Sequence, residues 1–98
     1  MIEIRKTQLF ADWLDNLRDI QARARILVRI ERLAAGNPGD VQPVGDGVSE
    51  MRIHYGPGYR VYFAMRGQEL VILLAGGDKS SQPKDIKTAL RLANELEE

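Results

Sequence analysis

Six consecutive residues, Leu70-Val-Ile-Leu-Leu-Ala75, carry no polar side chain, and no other stretch limits the fold as tightly. A strand with one wet face alternates apolar and polar residues, whereas a strand apolar on both faces has to be covered on both. The run is far short of the roughly 20 apolar residues a membrane span needs, and Gly76-Gly77 closes it. It is therefore expected inside a sheet rather than at an edge. With 98 residues, 44% of them hydrophobic, the chain has material for a single domain over residues 1–98 with one core.

The segment before that run alternates. Glu50-Met-Arg-Ile-His-Tyr-Gly-Pro-Gly-Tyr-Arg-Val-Tyr-Phe63, read with a period of two, puts Met51, Ile53 and Tyr55 on one strand face and Glu50, Arg52 and His54 on the other. Gly56-Pro57-Gly58 reverses the chain. Strands are expected at about 48–55, 59–66 and 69–75, joined by tight turns and hence antiparallel. Pairing Tyr55 with Tyr59 sets His54 opposite Arg60 and Arg52 opposite Tyr62. Phe63 then belongs to the core and Tyr62 to the exposed face, where its ring is free to stack on a base.

Ahead of these strands, Ile2 and Ile4 alternate with polar neighbours in a short opening strand. Thr7 caps a first helix whose apolar stripe is Leu9, Phe10, Trp13, Leu14 and Leu17. Asp19 caps a second, which buries Ile26, Leu27, Ile30, Leu33 and Ala34 and is ended by Gly36-Asn-Pro-Gly39. Residues 36–47, rich in Gly, Pro and Asp, read as a loop. Ser81 and Pro83 start a final helix with Ile86, Ala89, Leu90 and Ala93 inward. The expected fold is α+β: a small, mainly antiparallel twisted sheet with two N-terminal helices and a C-terminal helix, in the order β-α-α-β-β-β-α.

Fourteen basic and fourteen acidic residues cancel to a formal charge of +0, so no global field draws the chain to nucleic acid or to an anionic membrane. The distribution is less even. Arg52, Arg60, Arg66, Lys79, Lys84, Lys87 and Arg91 face only Glu69, Asp78 and Asp85 over the same stretch, which allows a local basic surface. Arg25, Arg29 and Arg32, with Arg18 nearby, mark the outer side of the second helix, either as a solvated face paired with local carboxylates or as a docking surface for RNA or protein. Cysteine is absent, which removes disulfides, thiolate catalysis and thiolate metal sites. Met1-Ile-Glu-Ile-Arg-Lys lacks the apolar stretch of a signal peptide, so a cytoplasmic location is expected, with no membrane partner.

The chemistry-bearing residues each have a structural alternative. His54 is the only histidine, and near a strand end it serves either as a structural residue or as a base. With Arg52 and Arg60 beside it, the imidazolium is disfavoured and a neutral ring is left to accept a proton. The two arginines are either surface residues balanced by Glu50 and Glu69 or a fork for phosphate. After the apolar run, Gly76-Gly77 is expected to turn the backbone sharply and swing Lys79 toward the sheet. No GxxxxGK[ST] loop is present, and one histidine without cysteine makes no zinc set, so no metal and no cofactor are expected. Ser80 and Ser81 read as turn and cap.

Arg52-Ile-His-Tyr-Gly-Pro-Gly-Tyr-Arg-Val-Tyr-Phe63 and Gly76-Gly-Asp-Lys-Ser80, in that order of elements, resemble the RelE/ParE toxin superfamily, and most nearly its HigB-like branch of addiction-module killer proteins. The resemblance implies a toxin of a bacterial type II toxin–antitoxin pair. It implies either a ribosome-dependent mRNA endoribonuclease, a non-nuclease toxin that poisons DNA gyrase, or a silent partner of the antitoxin. For the nuclease, it implies metal-independent attack of a ribose 2′-hydroxyl on its own 3′ phosphate. Arg52 and Arg60 then clamp phosphate, Lys79 adds charge, His54 acts as base, and Tyr62 and Arg66 bind substrate. The implied partners are the ribosome and mRNA, and a DNA-binding helix-turn-helix antitoxin from the adjacent gene, so that DNA is met only through the antitoxin complex.

Overall fold

The apolar run lies where its composition requires. In the computed structural model, which describes residues 2–96, it forms the greater part of β5 (Leu70–Asp78). The preceding elements are β1 (Glu3–Lys6), α1 (Gln8–Asp15), α2 (Ile20–Ala34), β2 (Val41–Gly45), β3 (Val48–Ile53) and β4 (Tyr59–Arg66). A single 3-10 turn (Lys79–Ser81) and α3 (Gln82–Glu95) follow β5. The sheet order is β1-β5-β4-β3-β2, with β1 parallel to β5 and every other pair antiparallel. The class is α+β, as the patterning predicts.

Both faces of the sheet are covered. Against one face α1 and α2 pack Phe10, Leu14, Ala22, Ile26, Ile30 and Leu33 on Met51, Ile53, Val61, Phe63, Val71 and Leu73. On the other, Ala89 and Ala93 of α3 meet Val48, Tyr62, Ala64, Leu74 and Ala75. The helices begin at the expected caps. The Asp19 carboxylate accepts from the Gln21 and Ala22 amides. The Thr7 hydroxyl accepts from the Phe10 amide and donates to the Leu74 carbonyl, which ties the start of α1 to the middle of β5. Leu9 and Leu27 lie at the margins of their stripes rather than within them, and each is nearly half exposed.

The structure corrects four expectations. Residues 36–47 are not all loop, because β2 forms an edge strand there. Pro43 is compatible with an edge, which needs no donor on its outer side, and Asp46-Gly47, both at positive φ, make the two-residue hairpin turn to β3. Second, β3 stops at Ile53, which pairs with Tyr59, so residues 54–58 form a five-residue loop. Arg52 therefore faces Arg60, Glu50 faces Tyr62, and His54 lies beyond the ladder. The slip from the expected register is two residues in the pair sum, which leaves every side chain on its predicted face.

Third, Tyr62 is not exposed. It is fully buried beneath α3, so its ring cannot stack on a base. Fourth, Gly76 and Gly77 do not form a turn but continue β5, and neither has a positive φ. Their missing side chains admit close neighbours. A Cβ on Gly76 would fall 2.2 Å from the Trp13 ring, and one on Gly77 would fall 1.8 Å from the Asp85 carboxylate. A bulge between the pairs Tyr62–Ala75 and Phe63–Leu73 turns Leu74 and Ala75 both toward α3.

Candidate active site

At the end of the sheet where the loop 54–58 meets the 3-10 turn, Arg52, His54, Arg60 and Lys79 line one open groove of about 570 Å3, together with Gly56, Gly58 and Gln82. Four of the six residues singled out from the sequence thus converge. Tyr62 lies in the protein interior, two cross-strand pairs farther along the ladder from Arg60. Arg66 is at the far end of β4, where it donates to the Ala93 carbonyl at 3.0 Å. It borders a separate depression with Arg5 and Lys6 and has no place in the groove.

Arg52 and Arg60 share a rung, and like charges so placed repel unless something intervenes. Glu50 does so for one of them. Its side chain is buried and accepts from Arg52 Nε at 3.2 Å, from Tyr62 Oη at 3.1 Å and from Gln82 Nε2 at 2.7 Å. Arg52 also donates to the Gln42 amide oxygen. Arg60 is different. It was expected on an exposed face, yet only 6% of it is accessible, and its Nε has no hydrogen-bond partner among the described residues. That buried donor costs free energy, while the guanidinium it belongs to adds positive charge to the wall of the groove.

Lys79 owes its position to local turn chemistry. The Asp78 carboxylate accepts from the Ser80 amide at 2.8 Å and from the Ser80 hydroxyl at 2.5 Å, and the Ser80 hydroxyl holds that carboxyl below its usual range. The lysine stem then lies against Gly58, where a Cβ would come within 3.3 Å of Cγ and Cδ and where φ is +82°. Both conditions call for glycine. His54 does not face Arg60 as expected. Its Nε2 lies 2.6 Å from the Asp40 carboxylate, whose pKa that hydrogen bond lowers. An ionised Asp40 can only accept, so Nε2 is the donor and Nδ1 is the atom left for a substrate.

Burial, and then the Glu50 charge, push the Tyr62 phenol well above its ordinary range, so it remains a hydrogen-bond donor. The groove can therefore bind a phosphate through three cations and offer one imidazole nitrogen beside it. Among the described residues no group of three His, Cys, Asp or Glu side chains is arranged to hold a metal ion, and no helix is long and apolar enough to cross a membrane.

Residues 12–97 match the sequence profile described as phage-derived protein Gp49-like (DUF891). The chain belongs to the Gp49-like family. This is a RelE-like toxin family of addiction modules. The chain is also similar to an uncharacterized protein of Haemophilus influenzae, at 53% identity over 95 residues, which cover 97% of this chain and 96% of the relative.

Of three groups that shape the groove of this Gp49-like chain, two were assigned no role from its sequence and the third, Glu50, was read only as a charge balancing the arginines, which it is for Arg52. Glu50 had a legible signal, since alternation already set it on the same face as Arg52, and a charged position flanked by core strands needs partners. Gln82 and Asp40 had none. Gln82 reaches Glu50 only because α3 covers this face, and Asp40 reaches His54 only because β2 exists.

Proposed function

We propose that this Gp49-like toxin is a metal-independent endoribonuclease that cuts mRNA on the ribosome, and that a DNA-binding antitoxin encoded by the adjacent gene silences it. The observation that carries the reading is the convergence of Arg60, only 6% accessible, with Arg52, Lys79 and His54 on one groove. A scissile phosphodiester in this groove meets all three cations. Its charge grows as the 2′-hydroxyl attacks, so preorganised cations stabilise the transition state more than the ground state.

In this mechanism His54 Nδ1 takes the proton of the 2′-hydroxyl, while Asp40 fixes the ring through Nε2. Arg60 and Arg52 hold the nonbridging oxygens of the phosphate. Lys79, on a flexible stem at the rim, meets the charge on the departing 5′ oxygen. The P–O bond to that oxygen breaks as the bond to the 2′ oxygen forms, leaving a 2′,3′-cyclic phosphate and a 5′ oxygen that takes a proton from water to become the 5′ hydroxyl. Tyr62 and Arg66 take no part at the reacting atoms. Tyr62 acts through Glu50, which orients Arg52.

Induction of the chain without a partner is expected to arrest growth, and primer extension on translated mRNA to show cuts carrying 5′ hydroxyls. His54→Gln and Lys79→Ala should each slow cleavage by about 10²-fold or more. Plasmid supercoiling measured in the same cells supplies the contrary result: trapped gyrase–DNA complexes without mRNA cuts would overturn the nuclease reading.

A further inference from the structure

A second groove, of about 510 Å3, runs along the outer side of α2 and ends at His54, the residue it shares with the candidate active site. Arg25, Arg29 and Arg32 recur on α2 at the spacing that makes one stripe. Of the two readings of this face, pairing with local carboxylates fails. None of the three arginines forms an ion pair among the described residues. Arg29 spends its donors on the carbonyls of Arg52, Pro38 and Asp40. Arg25 stacks over the Tyr55 ring with its guanidinium carbon 4.5 Å from the centroid.

Between these cations the floor is apolar. Ala24 and Val28 from α2 and Ile53 from the end of β3 supply it, and Val28, on the face of α2 opposite its buried stripe, is a large aliphatic side chain left 43% exposed. An RNA backbone would use the arginines and leave the apolar floor in contact with sugar and water. A peptide that presents carboxylates at its margins and aliphatic side chains at its centre uses both. We infer that the α2 groove docks an acidic, amphipathic segment of the antitoxin, which from there closes over His54.

The inference rests on the toxin–antitoxin reading and adds to it a place and a means of silencing. Such a segment need not displace Glu50 or reach Arg60. It blocks the mouth of the active groove at the residue common to both. Complementary charge at the rim sets encounter and register, and apolar burial at the floor sets residence.

The test uses the full chain and the protein product of the adjacent gene, co-expressed, separated and titrated by calorimetry. Arg25→Glu/Arg32→Glu is compared with Lys87→Glu/Arg91→Glu, which makes the same charge change on exposed positions of α3. The first pair is expected to weaken binding by about 30-fold or more and the second by less than about threefold. Val28→Asp should also weaken it by about tenfold or more, since it places a carboxylate on the apolar floor. All variants should stay folded, with melting temperatures within about 5–10 °C of wild type, since Arg25→Glu removes the stacking on Tyr55 and Arg91→Glu an exposed ion pair with Glu95, and the groove variants should still arrest growth when expressed alone.

Unchanged binding by the groove variants overturns the inference, as does equal weakening by both charge-reversed pairs, which would reduce the effect to net charge. Loss of growth arrest with antitoxin binding intact would give the groove to RNA and overturn it as well. A wild-type chain that binds no product of its neighbour would overturn the toxin–antitoxin reading along with the docking site. Wild-type binding that survives every groove variant would remove the docking site alone.

Discussion

Replacing Glu50 with Gln tests how the candidate site is held together. The substitution preserves volume and one acceptor but removes the charge shared by Arg52 Nε, Tyr62 Oη and Gln82 Nε2. It also turns an NH2 group toward donors. A hydrogen bond to a charged group is worth about 1.5–3 kcal/mol, and breaking a buried pair costs about 3–5. Arg52 is one-third exposed at its side chain, so its share is screened. The expected total is about 3 kcal/mol, because the three contacts meet on one group and do not add. At about 5 °C per kcal/mol for a chain of this length, the melting temperature should fall by about 15 °C. Tyr62→Phe deletes one arm and should cost about 1.5 kcal/mol. The double variant should cost less than the sum by about 0.5 kcal/mol or more. Thermal unfolding followed by circular dichroism reads all three. A Glu50→Gln protein that melts within about 3 °C of wild type, the range of an ordinary surface change, would refute the account of Glu50 as the buried anchor of the groove.

Arg60→Ala should abolish growth arrest and change stability less than Val61→Ala, because it deletes a desolvated charge with an orphan donor whereas Val61 is wholly buried in the core; the valine change should cost about 1–3 kcal/mol by denaturant unfolding. Gly77→Ala should lower the urea midpoint at constant slope by overpacking, at a cost of about 1–3 kcal/mol or more, since its Cβ has to displace an Asp85 carboxylate that also holds the Ser81 hydroxyl. The Tyr62 pKa is raised by burial and then by Glu50, so above about pH 10 the unfolded phenol ionises while the folded one does not. The native state then binds more protons than the unfolded state, and stability should fall as pH rises through that range. Melts taken at rising pH should show the fall reduced in Tyr62→Phe, with a remainder from Tyr55 and Tyr59, whose phenols are also raised.

The sequence made most of the elements legible because each has a local cause. The apolar run demands a covered strand, Thr7 and Asp19 carry cap chemistry, and Pro83 fits a helix start. β2 escaped because Pro43 and Gly45 look like loop in a segment with little apolar content, although Asp46-Gly47 was a usable hairpin signal. The placement of α3 was less legible. Its inward face, Ile86, Ala89, Leu90 and Ala93, was legible, but nothing local announced which face of the sheet it covers, and hence that it buries Tyr62 and brings Gln82 to Glu50. The convergence of Arg52 and Arg60 survived a wrong register because side-chain alternation depends on parity, and the slip preserved parity; His54 and Lys79 reach the groove from the loop and the 3-10 turn that flank it. The contacts among those residues did not survive it, since they depend on β2 and α3.

The extra residue at the middle of β5 has a use that the pairing pattern alone hides. From Tyr62–Ala75 onward, the rungs run without interruption to Tyr59–Asp78, so a strand shorter by Leu74 would still set Gly76 beneath Trp13 and Gly77 opposite Arg60. What it would lose is a leucine with no accessible surface in the layer that α3 covers with the buried Ala89 and Ala93 and the partly buried Ile86, Leu90 and Leu92. The insertion thus supplies bulk and leaves alignment untouched. It works as a shim, allowing the distance between α3 and the sheet to be adjusted without retuning the end of the strand that carries Lys79.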